Sequence, residues 1–170
     1  TQAVRNMRKL NSENNADLII GTTATPGSLA MIDVAAEKKI PMISLAASAS
    51  IVQPVEGARA WSVKTPQDDV LMATAVVQAM EKAGSGKIGF IGFSDAYGQN
   101  WLKELKNALQ GKQIEIVATE SYARPDTSVT GQVLKLLAAK PDAILIAGCG
   151  TAAALPQREL KQRGYKGQIY

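Results

Sequence analysis

The fold of this chain is decided by residues 87–120, which read KIGFIGFSDAYGQNWLKELKNALQGKQIEIVATE. The apolar run at 87–92 predicts a buried strand, and the alternation of apolar and polar side chains at 113–120 predicts a second one. Between them Leu102, Leu105 and Leu109 recur at the helical period, which predicts a helix over 98–109. A helical crossover of this length returns the chain to the same edge of the sheet, so the two strands must be parallel.

The same alternation extends over the whole chain. The run at 142–147 is apolar at nearly every position, and such a strand must be covered on both faces. The sequence therefore predicts an α/β fold with doubly wound parallel sheets. The predicted strands are 17–21, 41–44, 60–63, 87–92, 113–120, 142–147 and a last one from 168, and the predicted helices are 2–14, 28–38, 68–82, 98–109, 128–139 and 151–163.

The least regular part of the chain, residues 51–67, contains Pro54, Gly57 and Pro66. Such residues punctuate regular structure. We interpret this part as a crossing between two lobes, with residues 1–65 in a partial first lobe and residues 66–170 in a second lobe truncated at its C-terminal end.

Composition excludes several classes of function. The chain has 170 residues, no histidine and one cysteine, which rules out Ser-His-Asp and Cys-His catalysis, histidine-containing metal sites and an internal disulfide. The net charge is +4, yet the cations are interspersed with acids and aromatic residues make up only 5%, so we read the charge as solvated surface and not as a nucleic-acid-binding stripe. No apolar run is long enough to span a membrane. The chain shows no signal peptide and begins at Thr1 without an initiator methionine, as a processed or excised piece does.

Binding residues are expected in the loops that follow the strands. In a parallel α/β sheet ligands bind beyond the carboxyl ends of the strands, near helix N-termini. Small and hydroxyl side chains let main-chain amides approach a ligand, and a helix N-terminus favours an anionic group. The alternative is that these residues only cap helices and form turns. Four loops follow the carboxyl ends of predicted strands and are therefore the candidate binding loops, at residues 22–28, 45–50, 93–99 and 148–152.

Enzyme-like motifs in the chain are weak. Ser94 nearly matches a nucleophile elbow but has no histidine to activate it, so we interpret it as a turn or cap residue. Residues 84–87 resemble the end of a phosphate-binding loop but precede a strand instead of following one. Cys149 is predicted to be a buried residue that fills space in the core and not a nucleophile. An α/β enzyme that uses the carboxylates of Asp95 and Asp126 for catalysis is a further hypothesis, but these two residues show no spacing typical of an acid pair.

Several segments together resemble the branched-chain amino-acid type of periplasmic (type I) solute-binding protein. The segment Ile40-Pro41-Met42-Ile43-Ser44 resembles the first lobe of that family, and Asp95-Ala96-Tyr97-Gly98 resembles its Asp-x-Tyr-Gly segment. The resemblance extends over essentially the whole chain. Its other landmarks are residues 17–23, with a Pro-Gly-Ser helix start after them, 140–144 and 160–165.

The resemblance implies a two-lobed clamp, about twice as long as this chain, that closes on its ligand. It places the ligand carboxylate on Thr25 and on the loop residues Ala46, Ala47 and Ser48 of the first lobe. It places Tyr97 over the ligand from the second lobe, and Cys149 where the family often has an aromatic residue. The family's acidic partner for an α-ammonium lies beyond Tyr170, so an aromatic acid is an alternative to an amino acid.

The function implied is that of the substrate-binding component of an ABC transporter, in the periplasm or anchored outside a Gram-positive cell. The expected partners are a small carboxylate-bearing solute, a membrane permease and a second copy of the chain that covers the truncated lobe. No cofactor, metal or nucleic acid is expected, and the protein is not expected to be an enzyme. A ligand-sensing domain of a receptor or regulator on the same fold is the alternative.

Overall fold

The computed structural model describes all residues from Thr1 to Tyr170. The chain forms two compact units, Thr1–Asp69 and Val70–Tyr170, whereas the sequence placed the division after residue 65. None of the helices is long and apolar enough to cross a membrane.

The first unit is a three-stranded parallel sheet with helices on one face. The sheet has the order β1-β2-β3. Two short 3-10 helices, Ala49–Ile51 and Gly57–Trp61, connect the second and third strands. The helices are α1 (Gln2–Asn14) and α2 (Thr25–Lys38), and the strands are β1 (Ile19–Ile20), β2 (Met42–Ser44) and β3 (Ser62–Lys64).

The second unit is a four-stranded parallel sheet with helices on both faces. Its order, β5-β4-β6-β7, differs from the order along the chain, as in a doubly wound sheet. A short 3-10 helix, Thr151–Ala153, precedes the last α-helix. The strands are β4 (Lys87–Phe93), β5 (Glu115–Tyr122), β6 (Ala143–Ala147) and β7 (Gln168–Ile169), and the helices are α3 (Asp69–Lys82), α4 (Ala96–Ala108), α5 (Thr130–Ala138) and α6 (Ala154–Gln162).

Two apolar clusters cover the two faces of this second sheet. One packs Ile88 and Phe90 of β4 against α3 and α4, and the other packs Ile91 and Phe93 of the same strand against α5 and α6. Successive side chains of a strand point to opposite faces, so an unbroken apolar strand supplies both clusters. The predicted parallel, doubly wound α/β fold is confirmed.

Some details of the sequence prediction are wrong. Helix α2 begins at Thr25 and not at residue 28, with Pro26 in its first turn, where proline is tolerated because the N–H it lacks has no partner there. The helical period over residues 68–82 predicts that Val70 is buried together with Ala73, Val77 and Met80, but Val70 lies in the first turn of α3 and is 44% exposed. Trp101 was missed as a core residue of α4, and it is buried beside Leu105.

One face of the first sheet carries an exposed apolar row. Ile20, Ile43 and Val63 are aligned in register across the three strands. Ile20 is 66% exposed and Val63 is 59% exposed, whereas Ile19 and Met42 on the opposite face are buried under the helices. One face of the first sheet is therefore apolar and not covered by the helices of this unit.

Candidate functional site

The loops that follow β1 and β2 are joined by a buried chain of hydroxyl groups. Ser28 Oγ lies 3.2 Å from Thr22 Oγ1 and 2.8 Å from Ser44 Oγ. Ser44 Oγ accepts the N–H of Ala46 at 3.1 Å. Because each hydroxyl can be both donor and acceptor, these linked hydroxyl groups hold the ends of β1 and β2 at a fixed spacing.

Thr25 lies in the first turn of α2 and not in a loop. Its side chain is fully buried, and its Oγ1 has no hydrogen-bond partner. The residue before it, Ala24, cannot cap the helix with a side chain. The N-terminus of α2 therefore combines an unpaired hydroxyl with the positive end of the helix dipole, which is the arrangement that binds an anion.

The predicted loop residues Ala46, Ala47 and Ser48 differ in their surroundings. Ala46 is buried in the core and its amide already bonds Ser44. Ser48 is 2% exposed, and its Oγ accepts the N–H of Ser50 as the N-cap of the first 3-10 helix. Ala47 is partly exposed between them, so of the three predicted residues it is the one that is open to solvent.

In the second unit the loops after β4, β5 and β6 are joined by Arg124. Arg124 Nε donates to Asp95 Oδ2 at 2.6 Å, and Nη1 donates to Cys149 Sγ at 3.3 Å. The guanidinium carbon lies 4.2 Å from the ring centroid of Phe93 and 5.9 Å from that of Tyr97. Both predicted residues of this unit, Tyr97 and Cys149, are thus brought together around a cation that sequence reasoning did not single out. Cys149 is exposed, so the prediction that it is buried is wrong.

Asp95 positions both Arg124 and the start of α4. Its Oδ1 accepts the N–H groups of Tyr97 and Gly98 at 2.9 and 3.4 Å, which makes it the N-cap of the helix. Its Oδ2 binds Arg124. Because the carboxylate occupies the N–H groups of α4, this helix N-terminus is not open to a ligand anion in the way that α2 is.

Burial and charge act on the pKa values of this cluster. Burial raises the pKa of Tyr122 to about 12, with a smaller contribution from the nearby Cys149. Burial disfavours the charged form of Arg124, but the hydrogen bonds to Cys149 and Asp95 outweigh it, and the pKa of Arg124 lies above its ordinary value. At neutral pH the cluster therefore contains a protonated phenol and a permanent cation.

A cavity of about 360 Å³ opens beside Arg124. Asp126 Oδ2, on its wall, accepts the N–H of Ala123 at 2.8 Å. The cavity is lined by Arg124, Asp126, Thr127, Thr151, Ala152, Ala154, Leu155 and Arg158. The lining combines two cations, one acid, two hydroxyls and an apolar floor, which suits a small anionic molecule with an apolar body.

These features define a class of protein, in which α/β units with parallel sheets present hydroxyls, main-chain amides and a fixed cation in the loops at their strand ends. The chain belongs to the periplasmic binding protein family, whose model matches residues 1–170. Among curated proteins, none matches the chain.

Solved structures of this type are similar to the chain over nearly its whole length. An extracellular ligand-binding receptor from Rhodopseudomonas palustris HaA2 is 48% identical with a TM-score of 0.96, and the match covers 99% of this chain and 47% of that one. A leucine-binding protein from Thermotoga maritima is 23% identical with a TM-score of 0.87, over 99% and 47% of the two chains. A solute-binding protein from R. palustris HaA2 in complex with p-hydroxybenzoic acid is 16% identical with a TM-score of 0.89, over 99% and 46%. The last two matches show the fold alone, and the chain spans about half the length of all three relatives.

Proposed function

We propose that the chain is part of the substrate-binding component of an ABC transporter, and that it binds a small carboxylate-bearing solute, a branched-chain amino acid or an aromatic acid. The observation that carries the proposal is the set of polar groups at the carboxyl ends of the strands. In the first unit this set is the N-terminus of α2 with the unpaired Thr25 Oγ1. In the second unit it is Arg124, held by Asp95, Phe93 and Cys149.

Binding without turnover is the second part of the proposal. The two carboxylates that an enzyme would use are both engaged in structural contacts. Asp95 caps α4 and pairs with Arg124, and Asp126 accepts the N–H of Ala123. A general base needs a free oxygen near a proton on the substrate. Both oxygens of Asp95 are engaged, and Asp126 holds a turn of the main chain with one of its oxygens, which supports a structural role for both carboxylates and a binding protein over a hydrolase.

Equilibrium titration of the protein, expressed with all of its natural sequence, tests this function. We expect saturable binding of one solute per chain when branched-chain amino acids and benzoate-type acids are titrated in a calorimeter, with no chemical change of the solute. Solute recovered unchanged after prolonged incubation is the control for turnover. Absence of heat with every small carboxylate would refute the proposal.

The proposed site of action is the periplasm, where the protein would deliver its solute to a membrane permease. Family membership supports this location, and a genomic neighbourhood with permease and ATPase genes is the expected context. A fused signalling domain in place of those genes would favour the alternative function, a ligand-sensing domain of a receptor or regulator.

The exposed row of Ile20, Ile43 and Val63 supports a further partner. We propose that these 170 residues alone associate through this row into a homodimer, because an exposed apolar sheet face is covered in stable proteins. Sedimentation equilibrium should show a dimer, and the double variant Ile20→Lys with Val63→Lys should shift it to monomer. A wild-type monomer at all concentrations would contradict the homodimer.

A further inference from the structure

We propose that Arg124 determines which solutes this protein accepts, and that it selects an anion without an ammonium group, such as a simple carboxylic acid, over a zwitterionic amino acid. This inference rests on the proposed function, since it assumes that a solute enters the loops around Arg124. It narrows the class of solute, which the fold and the hydroxyl-lined loops leave open.

The guanidinium is held in place before any solute arrives. Asp95 and Cys149 engage two of its three nitrogens. The ring of Phe93, which is itself buried, supports its face at 4.2 Å. A flexible arginine loses rotamer entropy when it binds a ligand, and here that loss has already occurred on folding. A solute therefore meets a cation that is already oriented.

The third nitrogen is the group that a solute would satisfy. Arg124 Nη2 is buried and has no hydrogen-bond partner. A buried charged donor without an acceptor is costly, and such a group requires an explanation. Trp101 Nε1 is also unpaired, but it is neutral and packed in the core of the unit. Arg124 differs because it is charged and belongs to the lining of a cavity, and a carboxylate oxygen that reached Nη2 from this cavity would gain a charge-assisted hydrogen bond.

The surrounding charges disfavour an ammonium group. The cations Arg124 and Arg158 both line the cavity. The carboxylates of the region are Asp95 and Asp126, and Asp95 uses one oxygen for the cap of α4 and the other for Arg124. Asp126 uses one oxygen for the N–H of Ala123. Asp126 is the one acid that lines the cavity, against two cations, so an ammonium group placed there would meet a net positive charge.

Matched pairs of solutes test this selectivity. Leucine and 4-methylpentanoate share a carbon skeleton and differ only in the ammonium group, as do phenylalanine and 3-phenylpropanoate. We expect the full natural protein to bind the acid of at least one pair about tenfold or more tightly than its amino acid, since both carry the carboxylate and leaving the ammonium group of the amino acid unpaired has an effect of this size.

Variants of Arg124 separate its role from a general effect on the fold. Arg124→Met is expected to weaken binding of the acid by about 10- to 100-fold. Arg124→Lys is expected to restore little of the affinity that Arg124→Met loses, because an ammonium cannot keep the three directed contacts of a guanidinium. Arg158→Met removes the other cation of the cavity, which is exposed, and should change affinity by only about twofold. Circular dichroism melts establish that each variant is folded.

The outcomes distinguish this inference from the function on which it rests. Tighter binding of the amino acid than of its matched acid, or unchanged affinity in folded Arg124→Met and Arg124→Lys, overturns the role of Arg124 and leaves the binding function standing. If the wild-type protein binds none of the four solutes and no other carboxylate, the proposed function is overturned, and this inference with it.

Discussion

Replacing Gly98 with alanine is expected to lower the free energy of unfolding by about 3 kcal/mol, at the upper end of the range for overpacked positions. Gly98 is buried in the first turn of α4, where the helix packs against the end of β4. A methyl group there would overlap the carbonyl oxygen of Phe93 and approach the Phe93 nitrogen at 2.7 Å. Because the obstacle is main chain, a rotamer change cannot relieve it, and the helix itself must move.

The displacement should also weaken solute binding. Moving the start of α4 breaks the cap that Asp95 makes with Tyr97 and Gly98, and Asp95 is the residue that orients Arg124. Urea denaturation measures the loss of stability, and calorimetric titration measures the loss of binding. The proposed selectivity thus depends on a residue that does not itself touch the guanidinium.

Gly131→Ala is the matched control for this variant. Gly131 lies in α5, and a methyl group added there meets nothing within 4 Å. Alanine at this exposed helical position should raise stability by about 0.5 to 1 kcal/mol through helix propensity. If Gly98→Ala were also neutral or stabilising, the close packing of α4 on β4 would be wrong.

Leu136→Ala is expected to have the second-largest effect, a loss of about 3 kcal/mol of stability. Leu136 is fully buried in the cluster that packs α5 and α6 against the sheet, beside Ile91, Val133 and Ile144. Removing its side chain loses the transfer free energy and leaves a cavity, which together cost about 2–5 kcal/mol for buried leucines. Chemical denaturation of the variant provides the measurement.

The same helix supplies the control. Leu134 lies two residues away in α5 and is 48% exposed, so Leu134→Ala should change stability by about 0.5 kcal/mol or less. Equal effects of the two substitutions would show that α5 does not present Leu136 to the sheet. The pair therefore tests which face of the helix is buried, independently of any solute.

Much of the fold was predictable because its signals are local. The strands and helices follow from apolar runs and helical periodicity, and the parallel pairing follows from the length of each crossover. Errors occurred at the helix start near Thr25 and at Val70, where first-turn positions carry the pattern of neither a loop nor a buried face. Trp101 was missed because a single large residue inside a leucine pattern does not alter the period.

The candidate site was predictable only in part. The positions of Tyr97 and Cys149 just after strands were visible in the sequence, although Tyr97 lies in the first turn of α4 and not in a loop, and the structure places both beside one cation. That cation, Arg124, has no distinguishing pattern, being one of 19 lysines and arginines. Arg124 lies in a Pro-containing loop after an ordinary strand. Nothing in the sequence of this loop signals the contacts that Arg124 makes with residues 29 and 25 positions away.

The sequence by itself determined the class of fold and the edge of the sheets where polar loops collect, because both depend on the order and period of neighbouring residues. Only the tertiary structure decided that Asp95, Arg124 and Cys149 meet. Their strands are adjacent in the order β5-β4-β6, which is set by the packing of helices on both faces of the sheet and not by distance along the chain. The charge that would choose the solute therefore arises from the folded sheet.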